Sequence, residues 1–258
     1  MPNSKTLKEK LQSRITKFAD KKRKLWFENY IKHNTKYRGI EMPTIRTELK
    51  TWYQEESIDK LPLDSQLDLA LSFFEEDYAE DKLAGILFLQ LYLYDKFDYN
   101  HLLSRFESVF EKGYIYDWSV CDWFCTRVLR QMIKANGRKC AEAVSNGRKC
   151  AEAVSKWHTA NNVWQARCSV VSFTTLTKEN KYTSLILKSN TVLIKREERF
   201  AKTAVGWILR ELSKVNKQIV VEFIAKYRPY FSRESHENAI KYFDKDEKKE
   251  MRELLKSI

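Results

Sequence analysis

The sequence predicts an all-α protein, on the evidence of its composition and its hydrophobic periodicity. Its 258 residues include only 6 Gly and 4 Pro, where average usage gives about 18 and 13. The turns of β-hairpins need residues that tolerate positive φ, so a chain this poor in glycine is unsuited to a turn-rich β fold. Apolar residues recur at helical spacing in blocks separated by short breaks.

The helical blocks follow one another along the whole chain. Their spacing predicts helices over residues 5–33, 43–56, 64–77, 79–94, 99–112, 117–134, 161–176, 181–194, 196–213, 217–227 and 233–256. Amphipathic helices joined by short turns are typical of an αα-solenoid, in which each pair covers the apolar face of its neighbour. The pairs are irregular in sequence, so an irregular helical bundle is the alternative. We expect a single domain over residues 1–258.

The charge balance indicates a polyanionic partner. Lys and Arg number 47 against 35 Asp and Glu, which gives a net charge of +12. Such a surplus attracts nucleic acid or an anionic membrane surface. No apolar run approaches the ~20 residues that span a bilayer, and the first residues lack the apolar core of a signal peptide. We therefore expect a cytoplasmic protein, nucleoid-associated in a bacterium, that binds nucleic acid rather than a membrane.

The cysteines and histidines do not have the spacing of a metal site. The chain has five Cys and four His, all scattered and without a CxxC pair. Reduced, buried thiols explain this pattern better than a zinc site or a disulfide framework. The sequence therefore predicts neither a metal nor an organic cofactor.

The first two blocks contain a basic run and a recognisable helix start. The run at 21–24 is KKRK, which can follow a phosphate backbone, although a solvated helix face is the more ordinary interpretation. Pro43 suits the first turn of a helix, where free backbone N–H groups can bind a phosphate. Arg46 would add a second contact three residues on. An ordinary helix start explains Pro43 equally well.

Asp122 is an unusual residue for its helix. Trp118, Asp122 and Cys125 share one face of the block 117–134, whose remaining residues are mostly apolar. Burying an unpaired carboxylate costs several kcal/mol, at a rough estimate. Asp122 therefore needs a partner or faces a cleft.

A ten-residue repeat follows this block. Residues 136–145 and 146–155 are both NGRKCAEAVS. Ten residues are not a whole number of helical turns, and each copy opens with Asn-Gly, a turn signal. One copy is expected to be a surplus loop or a helix extension without a functional role.

Two later helices also have polar or aromatic residues at informative positions. Arg167 lies in the middle of the apolar stripe of block 161–176 and needs an anion, either a carboxylate such as Asp122 or a phosphate. Trp207 lies at the border of the buried face of block 196–213, where it can stack on a sugar or base while neighbouring cations hold phosphates. Those cations are Arg199, Arg210 and Lys214. Core packing, a structural ion pair and a solvated face are the ordinary explanations of these features.

Four stretches give the chain a family resemblance. They are GIEMPTIR at 39–46, DWSVCDW at 117–123, NVWQAR at 162–167 and FAKTAVGWILRELSK at 200–214. Their order and approximate spacing resemble the bacterial AlkD family of alkylpurine DNA glycosylases along nearly the whole chain. The resemblance implies a C-shaped stack of HEAT-like helical pairs with a basic concave face that holds duplex DNA. It also implies hydrolysis of the N-glycosidic bond of cationic lesions such as 3-methyladenine and 7-methylguanine.

The resemblance also implies roles for individual residues. Trp118 and Trp207 match the two tryptophans of the family's cleft. Asp122 matches its catalytic carboxylate, Arg167 its DNA-contacting arginine, and Tyr30 a tyrosine near the DNA. The family often has two tryptophans ahead of this aspartate, whereas here the pair is Asp-Trp, and the repeat is inserted before the arginine.

The chemistry of such lesions suits these residue types. An alkylated purine is already cationic, so its departure needs no strong acid. A carboxylate can stabilise an oxocarbenium-like sugar and orient water, and indoles can pack on the deoxyribose. We expect a monomer that binds duplex DNA without a metal. The alternatives are a catalytically inactive HEAT-like module that binds damaged or branched nucleic acid, and a helical scaffold for an acidic protein.

Overall fold

A computed structural model describes residues 4–135 and 141–256 of the chain. Within these ranges every regular element is a helix, and the only strand-like feature is an isolated bridge between Lys36 and Tyr78. The predicted all-α class is confirmed. Within the same ranges, no helix combines the length and the apolar character needed to cross a membrane.

The helices follow the predicted blocks closely. They are α1 (Ser4–Thr16), α2 (Lys21–Tyr30), α3 (Met42–Glu55), α4 (Leu63–Ser72), α5 (Ala79–Phe88), α6 (Tyr99–Glu111), α7 (Trp118–Phe124), α8 (Arg130–Ala135), α9 (Ala141–Lys156), α10 (Val163–Val171), α11 (Thr183–Leu193), α12 (Arg199–Ser213), α13 (Lys217–Tyr227), α14 (Arg233–Ala239) and α15 (Lys245–Lys256). A π-helical segment, Leu89–Leu93, continues α5, and a second one, Cys125–Leu129, joins α7 to α8.

Two predicted blocks are each divided into two helices. Block 5–33 becomes α1 and α2, and block 233–256 becomes α14 and α15. In both cases an aspartate caps the second helix: Asp20 Oδ1 accepts the N–H of Arg23 at 2.7 Å, and Asp244 Oδ1 accepts that of Glu247 at 2.9 Å. Capping by a carboxylate favours a new helix start, which hydrophobic periodicity alone does not reveal.

The chain forms two compact units, an N-terminal unit (Met1–Met132) and a C-terminal unit (Ile133–Ile258). In the N-terminal unit α1 packs on α3, α3 on α5, and α5 on α7. In the C-terminal unit α10 packs on α12 and α12 on α14, while α9 packs on α11. Contacts between every second helix are the pattern of stacked helical pairs, so the packing within each unit is consistent with a helical-repeat solenoid.

Apolar residues at helical spacing build the core of each unit. In α1 the buried residues are Leu7, Leu11 and Ile15, each one turn after the last. In α12 the buried apolar residues are Ala201, Ala204, Val205, Ile208, Leu209 and Leu212. The buried face that the spacing predicts for this helix consists of these six residues and Phe200; the six are buried as predicted, and Phe200 is half-buried.

The repeated decad contributes to a helix. The backbone of α9 runs from Ala141 to Lys156, through the second Asn-Gly pair. Cys150, Ala151 and Val154 of the second copy are fully buried. The second copy is therefore helical, which agrees with the expected helix extension and not with a loop. Burial of its apolar residues outweighs the turn preference of Asn-Gly. Residues 136–140 of the first copy lie outside the described residues.

Candidate functional site

Asp117 fixes the start of α7, the helix that carries two predicted site residues. Its Oδ1 accepts the N–H of Val120 at 3.0 Å, and its Oδ2 accepts the hydroxyl of Thr35 at 2.8 Å. Only 1% of Asp117 is exposed, and burial raises the pKa of its carboxyl group. This side chain determines where α7 begins and therefore how the helix presents Trp118 and Asp122.

Asp122 lies on the accessible side of α7. The partly exposed residues of the helix are Trp118, Ser119, Asp122 and Trp123, and the buried ones are Val120, Cys121 and Phe124. Trp118 and Asp122 are one turn apart on the accessible side. Asp122 is half-buried, and the expectation that it has a partner or faces a cleft stays a prediction. The buried carboxylate of this region belongs to Asp117, which caps the helix start.

Tyr30 and Trp118 are in direct contact. Their ring centroids are 5.1 Å apart and their planes make an angle of 73°. Trp118 also packs against a small cluster of Ile31, Tyr37 and Ala79. The structure thus places the predicted DNA-proximal tyrosine beside the first predicted cleft tryptophan, within the N-terminal unit.

A buried carboxylate holds the loop that leads into α3. Glu80 is fully buried, and its Oε1 accepts the backbone N–H groups of Arg38, Gly39 and Ile40 at 2.8 to 3.1 Å. Gly39 has φ +85°, and a Cβ there would lie 2.2 Å from the carbonyl oxygen of Asp20. The glycine of the GIEMPTIR stretch is therefore required by backbone conformation and by close approach.

This loop presents Pro43 in the first turn of α3, as the sequence predicts. Pro43 is exposed, and the preceding N-cap residue, Glu41, makes no side-chain capping hydrogen bond. Glu41 Oε1 lies 3.5 Å from Arg23 Nε. A phosphate at this helix start would lie close to that carboxylate, and a phosphate contact at Pro43 stays a prediction.

Arg46, which the sequence predicts as a DNA contact, belongs to a cluster of three arginines with Arg127 and Arg130. The other two arginines were not predicted. Arg46 Nη2 donates to Gln90 Oε1 at 3.3 Å. The guanidinium of Arg127 lies 4.6 Å from the ring centre of Trp123. Burial lowers the pKa of Arg127, and the charges of Arg46 and Arg130 lower it further.

Arg127 has no acidic partner among the described residues. The nearby charges that act on it are positive, so the cluster is suited to receive an anion. The spacing of four residues in WFCTR, which puts Trp123 and Arg127 one helical turn apart, is the sequence signal that indicates this pair.

Trp207 lies at the border of the buried face of α12, as predicted, and is half-buried. The residue before it, Gly206, is buried where α12 meets α14, and a Cβ there would lie 2.4 Å from the carbonyl oxygen of Ser235. The Gly-Trp pair therefore combines a close helix crossing with an indole at the edge of the core. The guanidinium of Arg210 lies 5.8 Å from the Trp207 ring centre.

The predicted basic stripe of α12 consists of ion-paired residues. Arg210 Nη2 lies 2.9 Å from Glu211 Oε1, and Lys214 pairs with the other oxygen of Glu211. Although burial alone would raise the pKa of Glu211, hydrogen bonds from Lys214 and Arg210 lower it. Arg199 forms a bidentate ion pair with Glu234, in which Nε and Nη2 each donate to one carboxylate oxygen at 2.7 Å. The exposed pair of Arg199 and Glu234 contributes only about 0 to 1 kcal/mol, so a phosphate can compete for Arg199. The pair of Arg210 and Glu211 is more shielded from solvent.

Arg167 is buried in the C-terminal unit, with 5% of the residue exposed. Its Nη1 donates to the carbonyl oxygen of Phe200 at 2.9 Å and to the hydroxyl of Thr203 at 3.3 Å. These bonds connect α10 to the first turn of α12. The placement favours a role in positioning α12, and direct contact of Arg167 with DNA stays a prediction.

Comparison with known proteins identifies the family. Residues 11–243 match the family described as DNA alkylation repair enzyme. The chain belongs to this family. It is a family of DNA repair enzymes, and its substrate is DNA. All predicted site residues, from Tyr30 to Lys214, lie within the matched range.

A solved structure supports the fold of this DNA alkylation repair family member. It is described as a predicted DNA alkylation repair enzyme from Enterococcus faecalis. The two chains are 19% identical, the match covers 88% of this chain and 97% of the other, and the TM-score is 0.69. At this level of identity the likeness concerns the fold alone. The comparison with curated proteins gives no match.

Proposed function

We propose that the protein is a monofunctional DNA glycosylase that hydrolyses the N-glycosidic bond of cationic alkylated purines, such as 3-methyladenine and 7-methylguanine, in duplex DNA. The observation that carries the proposal is the arrangement on α7. Asp122 and Trp118 stand one turn apart on its accessible side, and buried Asp117 fixes the helix start. A carboxylate and an indole held in this way suit a positively charged sugar.

The mechanism follows from the charge of the lesion. When the bond between C1′ and the purine nitrogen breaks, its electron pair goes to the base, which leaves as a neutral molecule. The deoxyribose becomes an oxocarbenium-like cation, which Asp122 stabilises electrostatically. Water adds to C1′ and releases its proton to solvent. The indole of Trp118 packs on the sugar and favours its positive charge, and the family resemblance assigns a similar role to Trp207.

Cations of both units would hold the phosphates. Arg46 and Arg127 serve this purpose in the N-terminal unit, and Arg199, Arg210 and Lys214 in the C-terminal unit. Tyr30, Pro43 and Arg167 complete the proposed contacts.

We include in the proposal that the helices form one HEAT-like repeat domain, and that the protein acts as a monomer without a metal.

Base release from duplex DNA containing 7-methylguanine tests the proposal directly. The wild-type chain should release the free base and leave an abasic site, in the absence of any added metal. If no base is released while the damaged duplex is still bound, the protein is instead a binding module with the family's fold. If the duplex is not bound either, an acidic protein becomes the better candidate partner.

Arg210→Ala should weaken binding to all duplex sequences by a similar factor, because a phosphate contact does not depend on sequence. The slope of log affinity against log salt should fall by up to about 0.9. Arg252→Ala is the control, since Arg252 also pairs with a glutamate, Glu237, at a more exposed position and is not a predicted contact. A change in sequence preference would argue against a phosphate contact at Arg210.

Arg127→Gln should also lower DNA affinity and its salt dependence, with little effect on the midpoint of thermal unfolding. The substitution removes a cation that two neighbouring arginines repel and breaks no ion pair within the described residues. Arg105→Gln serves as the control because Arg105 is paired with Asp68. Unchanged affinity and salt slope in Arg127→Gln would leave this arginine with a structural role only.

A further inference from the structure

Helix α2 exposes large aromatic side chains instead of burying them. None of its residues, from Lys21 to Tyr30, is buried. Trp26 is 59% exposed and Tyr30 58% exposed, and both are far from the fully buried state usual for aromatic residues in a core. Exposed apolar surface of this kind typically marks a binding site.

The two rings form an ordered surface. Trp26 and Tyr30 are stacked nearly parallel, with centroids 5.3 Å apart and an interplanar angle of 11°. Tyr30 in turn meets the edge of Trp118. Stacking side chain on side chain holds the outer indole face in a fixed orientation before any ligand arrives, which reduces the entropy cost of binding.

A cation completes this surface. Lys22, Trp26 and Tyr30 follow one another at intervals of four residues and therefore lie along one face of α2; we call these three residues the α2 stripe. Lys22 is exposed and has no acidic partner among the described residues. Lys21 beside it is exposed as well. A positive charge one turn from a flat aromatic face matches a ligand that joins an anionic group to a planar ring.

A nucleotide has this combination. Its base can stack on the indole, and its phosphate can pair with Lys22. A base within an intact duplex has both faces covered, so a free face requires a base that is unpaired. DNA is favoured over an anionic membrane because the stripe is continuous with Trp118, on the helix that the proposed function places against DNA.

We propose that the α2 stripe binds an unpaired nucleotide of DNA. The base stacks on Trp26, and the phosphate forms an ion pair with Lys22. The inference rests on the proposed function in that the DNA is the damaged duplex bound at α7. The protein would then bind a lesion more tightly where a nearby base has lost its pairing partner.

The test uses a duplex in which 2-aminopurine lies opposite an abasic analogue, and a control duplex in which it is paired with thymine. Stacking on an indole quenches the fluorescence of 2-aminopurine. Wild type should quench the unpaired probe and bind that duplex more tightly. Trp26→Ala should bind it about tenfold more weakly and leave affinity for the paired duplex unchanged, while Trp26→Phe should restore most of the loss.

Phe18→Ala is the matched control, because Phe18 is another exposed aromatic residue, 47% exposed, outside the stripe. It should behave as wild type. An equal loss for both duplexes in Trp26→Ala, or no quenching by wild type, overturns the inference. Tighter binding to vesicles of anionic phospholipid than to the unpaired duplex would assign the stripe to a membrane surface. Self-association that Trp26→Ala abolishes would assign it to a second copy.

These outcomes are distinguishable from failure of the proposed function, because stacking and base release are measured separately. Quenching of the unpaired probe without release of 7-methylguanine would retain the stripe as a binding site and reject the glycosylase. Release of 7-methylguanine without quenching would retain the glycosylase and reject the stripe as a binding site.

Discussion

Asp122→Asn is expected to abolish release of 7-methylguanine, with a loss of at least about 100-fold, while affinity for the damaged duplex stays equal or rises slightly. Asparagine has nearly the same shape but no negative charge, so it does not stabilise a cationic sugar; losing one aligned electrostatic contact typically costs about 100- to 1,000-fold in rate. Removing a negative charge from a DNA-binding surface should, if anything, favour phosphates. Single-turnover base release and equilibrium binding measure the two effects.

Asp117→Asn is the matched control for this variant. Asp117 is buried and caps the same helix, so its replacement should lower the midpoint of thermal unfolding, whereas the partly exposed Asp122 should tolerate asparagine without a comparable change. If Asp122→Asn instead lost binding, activity and stability together, Asp122 would have a structural role and the proposed mechanism would be wrong.

The two aspartates show what the sequence of α7 can and cannot predict. The periodicity correctly gives a helix with one apolar side. The predicted block 117–134 starts one residue before the observed helix, which begins at Trp118. The burial of Asp117 was not predicted, because it involves a hydrogen bond from Thr35, which is distant in sequence, to the Asp117 carboxylate.

Helix α12 was the most predictable element, because its apolar face is determined by local spacing. Its buried residues and the border position of Trp207 are confirmed. The state of its cations was less predictable. Arg199 pairs with Glu234, which belongs to α14, and no local pattern indicates such a partner. Burial of Arg167 was predicted, but its bond to the Phe200 carbonyl depends on how α10 packs against α12.

Gly206→Ala should lower the free energy of unfolding by about 3 kcal/mol, since inserting atoms into a close-packed contact is costly. A Cβ at this position would lie 2.4 Å from the carbonyl oxygen and 2.9 Å from the Cα of Ser235, and both are backbone atoms that a side-chain rotation does not move. The helices α12 and α14 would have to separate. Urea unfolding of the wild-type and variant chains measures the difference.

The sign of this effect is informative, because helix propensity alone predicts the opposite: alanine favours a helix over glycine by about 1 kcal/mol. Gly85→Ala provides a comparison with a less severe clash, because a Cβ at this position would lie 2.8 Å from the carbonyl oxygen of Ala70. This substitution should lower the free energy of unfolding by a smaller amount. If Gly206→Ala stabilised the protein, α14 would not cross α12 at this glycine. A large loss of stability would instead show that the glycine next to Trp207 is required by helix packing. The fold would then explain the glycine of the Gly-Trp pair, and only the tryptophan would need a role in the reaction.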